Sequence, residues 1–270
     1  MQVLPIYQVD AFTDRLFGGN PAAVVVLDAF PDTALMHAIA AENNLSETAF
    51  LVPHDGQYRL RWFTPVVEMP LCGHATLASA AVVMERLEPG RTEVVFDTAS
   101  GPLPVRRSAT GYVLNFPART LVPVAAPLGL AAALGCHPHE LLDVLDDGFG
   151  YTVVLADARA VRELAPDFNA IGRLPRTGLA RPGLAVTARG DGDYDCVSRY
   201  FAPAKGVPED PVTGSAHCAL APYWGERLGK TTLRAFQASR RGGELACRLV
   251  DGRVELEGGC VLYLEGRITV

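Results

Sequence analysis

The pattern of apolar and polar positions predicts a chain built mostly of strands. Residues 4–12 partly alternate, as a strand with one buried face does. Ala22-Ala23-Val24-Val25-Val26-Leu27 is continuously apolar and suits a strand buried on both faces. Between them, Phe17-Gly18-Gly19-Asn20-Pro21 is a turn by composition, because Gly permits positive φ and Asn before Pro favours a non-helical bend. Asp32 predicts the start of a helix over 33–42, with Leu35, Ala38 and Ile39 on one face. A loop through Asn43-Asn44-Leu45-Ser46-Glu47-Thr48 runs into a strand over 49–52, and an alternating strand over 58–63 ends at Thr64-Pro65. Positions 75–84 are uninterruptedly small or apolar, the signature of a helix buried on every side.

Further strands are predicted over 93–96, 104–107 and 112–116, then a connector over 117–127. Short helices follow over 131–134 and 138–144, a strand over 150–155, and helical turns over 161–164 and 168–174. Strands over 183–187 and 197–201 lead to a second apolar helix over 216–228, where Pro222 predicts a kink or a late start. The segments 244–249, 253–256 and 259–270 are strand-like again. Many strands with few helices make an α+β fold.

The two apolar helices belong to an internal repeat. Gly73-His74-Ala75 aligns with Gly214-Ser215-Ala216 at an offset of 141 positions (214 − 73), with Pro70 over Pro211 and Glu85-Arg86-Leu87 over Glu226-Arg227-Leu228. Upstream, Arg61-Trp62-Phe63-Thr64-Pro65 aligns with Arg199-Tyr200-Phe201-Ala202-Pro203 at an offset of 138 (199 − 61), so the second copy carries three extra residues, within 204–208, and Asp210 lies opposite Met69. The expected organisation is two pseudo-symmetric halves, 1–117 joined by a returning strand over 259–270, and 118–258. The expected site lies in the cleft between them, where polar residues differ. Each central helix would start at its glycine turn, so that unpaired N–H groups and the positive end of its dipole could meet a carboxylate.

Charge and cysteine content narrow the function. A chain of 270 residues with a net charge of −6 and no block of Lys/Arg lacks the basic face that nucleic acids or anionic membranes require. Its longest strictly apolar run, 22–27, is far short of the roughly 18 residues of a membrane span. The N-terminus shows no basic segment followed by a long apolar run, so a cytoplasmic protein is expected. Cys72, Cys136, Cys196, Cys218, Cys247 and Cys260 form no C-x-x-C pair and are expected to be reduced. His137-Pro138-His139 has no third ligand at a recognisable spacing, so no metal is expected.

Glu47 stands just before an apolar strand, where desolvation would raise a carboxyl pKa into the range of a general acid or base. On the residues alone, satisfaction of local backbone donors by Ser46 and Glu47 is the simpler reading. His74 at a helix start serves equally as a structural or a site residue, and Asp210 before Pro211 is a common turn pairing.

Taken together, Phe17-Gly18-Gly19-Asn20-Pro21-Ala22-Ala23-Val24, Asn44-Leu45-Ser46-Glu47-Thr48-Ala49-Phe50, Arg61-Trp62-Phe63-Thr64-Pro65, Cys72-Gly73-His74-Ala75-Thr76 and Asp210-Pro211-Val212-Thr213-Gly214-Ser215-Ala216 resemble the motif set of the PhzF family of phenazine-biosynthesis isomerases. The resemblance implies the diaminopimelate-epimerase-like fold, two halves each with a curled, mostly antiparallel sheet around a central helix. It implies a cofactor-independent isomerase, a homodimer, acting on a small carboxylate-bearing substrate such as trans-2,3-dihydro-3-hydroxyanthranilate. Glu47 would move the proton, with His74 and Asp210 as catalytic partners and Gly73, Gly214, Ser215 and Asn20 binding substrate. For Glu47, it reverses the order of the two readings. Epimerase relatives of this fold use a cysteine at each turn, whereas here Cys72 is matched by Thr213, which counts against a two-thiol racemase. Cys72 then reads as a small buried hydrophobe ahead of a single base. A racemase of another small amino acid and a non-catalytic binding protein are the alternatives.

Overall fold

The computed structural model describes residues 1–175 and 183–270. It divides into one unit of Met1–Asn115 with Leu256–Val270 and a second of Phe116–Glu255. The chain forms β1 (Val3–Ala11), β2 (Asn20–Val26), α1 (Thr33–Asn43), β3 (Glu47–His54), β4 (Gln57–Phe63), β5 (Glu68–Met69), α2 (Gly73–Val82), β6 (Glu93–Thr98), β7 (Gly101–Arg107) and β8 (Tyr112–Pro117). It continues with β9 (Val122–Pro123), α3 (Leu130–Leu134), β10 (Asp143–Asp146), β11 (Gly150–Val154), α4 (Ala158–Glu163), α5 (Phe168–Gly172), β12 (Gly183–Arg189), β13 (Cys196–Ala202) and β14 (Val207–Asp210). Last come α6 (Gly214–Leu228), β15 (Thr232–Gln237), β16 (Gly243–Val250), β17 (Arg253–Gly258) and β18 (Cys260–Thr269). The fold is α+β.

In the first unit β18 lies antiparallel to β1, and β1 antiparallel to β2. β2 and β3 are parallel, β3 and β4 antiparallel, β4 and β6 parallel, and β6 and β7 antiparallel. One face buries Ile6, Val25, Phe50 and Phe63 against Met36 and Ile39 of α1. Asp32 caps that helix by accepting from the Leu35 N–H at 2.7 Å. α2 packs against β1, β2 and β3, and all ten of its residues are buried, as expected of a helix with no polar stripe.

The second unit repeats this order strand for strand. β10 and β11 are antiparallel, β11 and β12 parallel, β12 and β13 antiparallel, β13 and β15 parallel, and β15 and β16 antiparallel, with α6 against β12, β15 and β16. The match extends to single residues. Phe63 pairs with Glu68 and Phe201 with Glu209; Trp62 pairs with Met69 and Tyr200 with Asp210. Ala49 faces Trp62 and Ala185 faces Tyr200, so two residues back along β3 and β12 (49 − 47 and 185 − 183) Gly183 is the counterpart of Glu47. Where the second copy is three residues longer, a 3₁₀ turn, Pro203–Lys205, follows a register shift at Phe201/Ala202.

Side-chain contacts are duplicated too. Arg61 holds Glu68 with two bonds of 2.7 and 2.8 Å, and Arg199 holds Glu209 with two of 2.7 and 3.0 Å. The guanidinium carbons lie 5.2 Å over the Phe63 ring and 5.1 Å over the Phe201 ring. The Ser100 hydroxyl donates to the Pro70 carbonyl at 2.6 Å and that of Ser239 to the Pro211 carbonyl at 2.8 Å. A planar five-donor fork grips a carboxylate from the adjacent short strand in both units, fixing the segment that leads into each central helix.

Several expectations need correction. The helix expected over 138–144 is only a 3₁₀ turn, Pro138–Glu140, after which Asp143–Asp146 joins the sheet as β10. The connector over 117–127 contains β9, paired with β10. Pro222 neither delays nor interrupts α6. Its missing N–H frees the carbonyl four residues earlier, on Cys218, and the Arg119 backbone N–H donates to that carbonyl at 2.8 Å. The glycine turns at Gly73 and Gly214 are the first residues of helices, each preceded by extended backbone at Cys72 and Thr213.

Candidate functional site

The first group of site residues is assembled from β2, β3 and α2. Gly19 has φ +59°, and a Cβ there would strike the Ala11 carbonyl, so only glycine brings the chain round to set Asn20 at the start of β2. Glu47 is not a loop residue but the first residue of β3, paired with Ala22 of β2 and 8% exposed. His74 is the second residue of α2, 3% exposed. Asn20 Nδ2 lies 3.0 Å from His74 Nδ1, Cys72 Sγ lies 3.6 Å from the same nitrogen, and His74 Nε2 stands 3.2 Å from Glu47 Oε2.

These contacts fix the state of the imidazole. An amide nitrogen can only donate, so Nδ1 accepts from Asn20 and the proton of neutral His74 resides on Nε2, facing Glu47. Burial pushes the imidazole down to about 3, which keeps it neutral at physiological pH. The Nε2–Oε2 pair is at donor–acceptor distance but not aligned for a hydrogen bond. The arrangement holds a carboxylate at the edge of the core beside a neutral donor.

The second group lies in the other unit. Asp210 ends β14, and the Thr213 hydroxyl donates to its Oδ2 at 2.5 Å. Gln237 of β15, fully buried, ties this turn together: its amide donates to the Asp210 carbonyl at 2.7 Å and its Oε1 accepts the Thr213 N–H at 2.8 Å. Sequence reasoning missed Gln237, which carries no motif and lies 24 residues beyond Thr213. Ser215, the second residue of α6, is half-buried, and its carbonyl accepts from Arg119. Arg119 is paired with Asp147 at 3.0 Å and lies 4.8 Å over the Phe149 ring.

The N-termini of α2 and α6 differ from those of α1, α4 and α5. Asp32, Asp157 and Asp167 each accept a backbone N–H at the start of α1, α4 and α5. Neither Cys72 nor Thr213 makes such a capping bond. First-turn donors without a side-chain cap, starting at Gly73 and Gly214 where no Cβ crowds the approach, suit a carboxylate.

Glu47, Cys72 and His74 each offer a ligand atom within 4.8 Å of the others, the donor types that hold zinc. The fit is poor. The sulfur contact is to Nδ1 and the carboxylate contact to Nε2, and Nδ1 already accepts from Asn20, so one ion cannot use both short contacts.

His217 gives the fold a second buried imidazole. Its Nδ1 lies 2.9 Å from the Thr213 carbonyl, matching the 2.5 Å bond from the Thr76 hydroxyl to the Cys72 carbonyl in the first unit. Burial lowers it to about 4, against the opposing effect of that backbone bond. Both folded values lie below the ordinary histidine value. Full stability is therefore present above about pH 6.5 and is lost as pH falls toward 4, because the unfolded chain binds protons that the folded chain excludes. Each imidazole should contribute a slope of about 1.4 kcal/mol per pH unit in that window. Urea midpoints measured from pH 7 to 4.5 should show it, and His217→Gln should flatten the curve; an unchanged slope would remove His217 from the account.

Three comparisons bear on this arrangement. The sequence profile of the phenazine biosynthesis-like proteins, PhzC-PhzF, matches residues 9–266. An uncharacterized isomerase of Pseudomonas aeruginosa is 51% identical over 265 residues, covering 98% of each chain. A crystal structure of a phenazine biosynthesis protein of the PhzF family from Enterococcus faecalis superposes with a TM-score of 0.91 at 42% identity, covering 100% of both chains. A hydroxyproline epimerase from Agrobacterium vitis, 11% identical, shares the fold alone, with a TM-score of 0.64 over 98% of this chain and 92% of that one. With both groups of motif residues placed and the match running through the whole sequence, the chain belongs to the phenazine biosynthesis-like, PhzF, family.

Proposed function

We propose that the protein is a cofactor-independent isomerase that moves a proton within a small cyclic amino or hydroxy acid such as trans-2,3-dihydro-3-hydroxyanthranilate. Glu47 is the general acid/base. The observation that carries this reading is the buried Glu47 carboxylate 3.2 Å from Nε2 of a neutral His74. A neutral imidazole beside the carboxylate does not bring the strong stabilisation of the anion that an imidazolium would, so Glu47 can take a proton from one carbon and return it to another. The uncapped starts of α2 and α6 hold the substrate carboxylate, with Gly73, Gly214 and Ser215 nearest to it. Asn20 and His74 orient the ring, and Asp210 takes its amine. In this reading the two groups of residues serve one substrate. The Pseudomonas aeruginosa relative bears the name of an isomerase, in keeping with this activity.

A racemase would need a second base facing the first. The counterpart of Cys72 is Thr213 and the counterpart of Glu47 is Gly183, so neither pair supplies one. The family reading also carries a homodimer in the cytoplasm and a place in biosynthesis; light scattering tests the first. The activity is tested by proton NMR of trans-2,3-dihydro-3-hydroxyanthranilate incubated with the protein in D₂O. Rearrangement of the ring with deuterium entering the new C–H position is expected. Failure to change that compound or any of a panel of small cyclic amino acids would overturn the proposal.

A further inference from the structure

Resting on that reading, we infer that Gln237 is a positioning residue, which acts through the Thr213 hydroxyl to hold Asp210 as an oriented carboxylate. The direction of each hydrogen bond in this relay is fixed. A backbone N–H can only donate, so the Gln237 atom 2.8 Å from the Thr213 nitrogen is the amide oxygen. A backbone carbonyl can only accept, so the atom 2.7 Å from the Asp210 carbonyl is the amide nitrogen. The two bonds independently select one amide orientation, and the second N–H of that nitrogen meets Thr213 Oγ1 at 3.2 Å. Because Thr213 Oγ1 accepts there, its one proton is left for Asp210 Oδ2, 2.5 Å away. A carboxylate takes that proton better than a carboxylic acid does, and the burial of Gln237 and Thr213 strengthens each bond.

The repeat separates this relay from the scaffold of the turn. Gln237-Ala238-Ser239 aligns with Thr98-Ala99-Ser100 at an offset of 139 (239 − 100). The serine is present in both copies, and its bond to the proline carbonyl ties down the turn in both units. The members of the relay are not duplicated: Asp210, Thr213 and Gln237 stand where the first unit has Met69, Cys72 and Thr98. Thr98 directs its hydroxyl proton to the Gly101 carbonyl at 2.7 Å. The turn ahead of α2 therefore forms with no glutamine at this place, whereas in the second unit three residues that touch one another differ as a set. A general scaffold requirement would fall on both copies alike. At the counterpart of Cys72 the second unit carries a hydroxyl fixed as a donor, and Asp210 is what it serves.

Carbon-13 NMR titration of protein labelled at the Asp side-chain carboxyls tests this without reference to turnover, with the Asp210 signal assigned by its loss in Asp210→Asn. Thr213→Val removes the hydroxyl but leaves both backbone bonds of Gln237. It should move the Asp210 midpoint up by about one pH unit, the tenfold change expected from losing a hydrogen bond to a charged group. Thr213→Ser should restore the wild-type midpoint. Gln237→Met frees the hydroxyl to turn away; it should fold, as the first unit's turn does without a glutamine, and should move the midpoint in the same direction. In both shifted variants the acid limb of kcat/KM should follow the midpoint, which a merely structural role would not produce. A midpoint unmoved by Thr213→Val, or an acid limb that does not follow it, overturns the relay. A Gln237→Met protein that fails to fold, or that keeps the wild-type midpoint, removes Gln237 from it, and in each of these cases the isomerase reading stands. Shifted midpoints in a protein that turns over no small cyclic acid keep Asp210 held as described and overturn the isomerase reading instead.

Discussion

Glu47→Gln is expected to lose proton transfer by about 10²–10⁴-fold, the usual contribution of a positioned general acid/base, while the protein stays folded. The substitution is nearly isosteric. The amide oxygen of the new side chain can take the place of Oε2 in the 3.2 Å contact with His74 Nε2. What disappears is the capacity to hold a proton. The variant should therefore bind substrate with little change and fail at the exchange step, lowering kcat far more than it raises KM. In the D₂O experiment the ring should remain unrearranged and undeuterated. A variant that rearranges the ring at more than a tenth of the wild-type rate would sink the role of Glu47, and another base would have to be sought.

Arg199→Met should destabilise the second unit by about 3 kcal/mol, the cost typical of removing one partner from a desolvated pair. Arg61→Met should cost the first unit no more than about 1 kcal/mol. The contacts are nearly superimposable, but the environments are not. The side chains of Arg199 and Glu209 are 11% and 18% exposed, against 27% and 36% for Arg61 and Glu68. Arg199 also donates to the Leu164 carbonyl at 2.7 Å, so its loss strands a backbone acceptor as well as a carboxylate. The two tryptophans allow separate readings, Trp62 in the first unit and Trp224 in the second, both buried. In a Trp62→Phe background, urea titration followed by Trp224 fluorescence should report the large shift. Equal shifts for the two arginine variants, each read in its own unit, would show that burial does not set the difference.

How much of this was readable beforehand depended on whether a contact was local. The cap of α1 by Asp32 and the burial of α2 on every side follow from short-range chemistry and composition, and both appear in the sequence. The repeat was visible because Arg, aromatic, Pro and Gly markers recur in order, and the strand registers match that frame residue by residue. β5 and β14, two and four residues long, are too short for any period to show, and β15 alternates yet was missed between a helix and a Gly-rich turn. At the site, each motif pointed to its own residue, but the grouping did not follow from spacing. Asn20 and His74 are 54 positions apart and meet only because β2 runs beside β3 and beneath α2. Gln237 had no marker at all. The replacement of Glu47 by Gly183 was equally hidden, because it emerges only from the pairing of strands.

β18 pairs with β1 although the facing residues Val3 and Thr269 are 266 positions apart (269 − 3). The backbone groups of Gln2 and Val270 extend the ladder at 2.6 and 2.9 Å, a rung between residues 268 positions apart (270 − 2). The second unit, by contrast, is one contiguous stretch, Phe116 to Glu255, synthesised in full before β18. β1 therefore waits with one edge open to other chains until Cys260–Thr269, made after the whole second unit, arrives beside it.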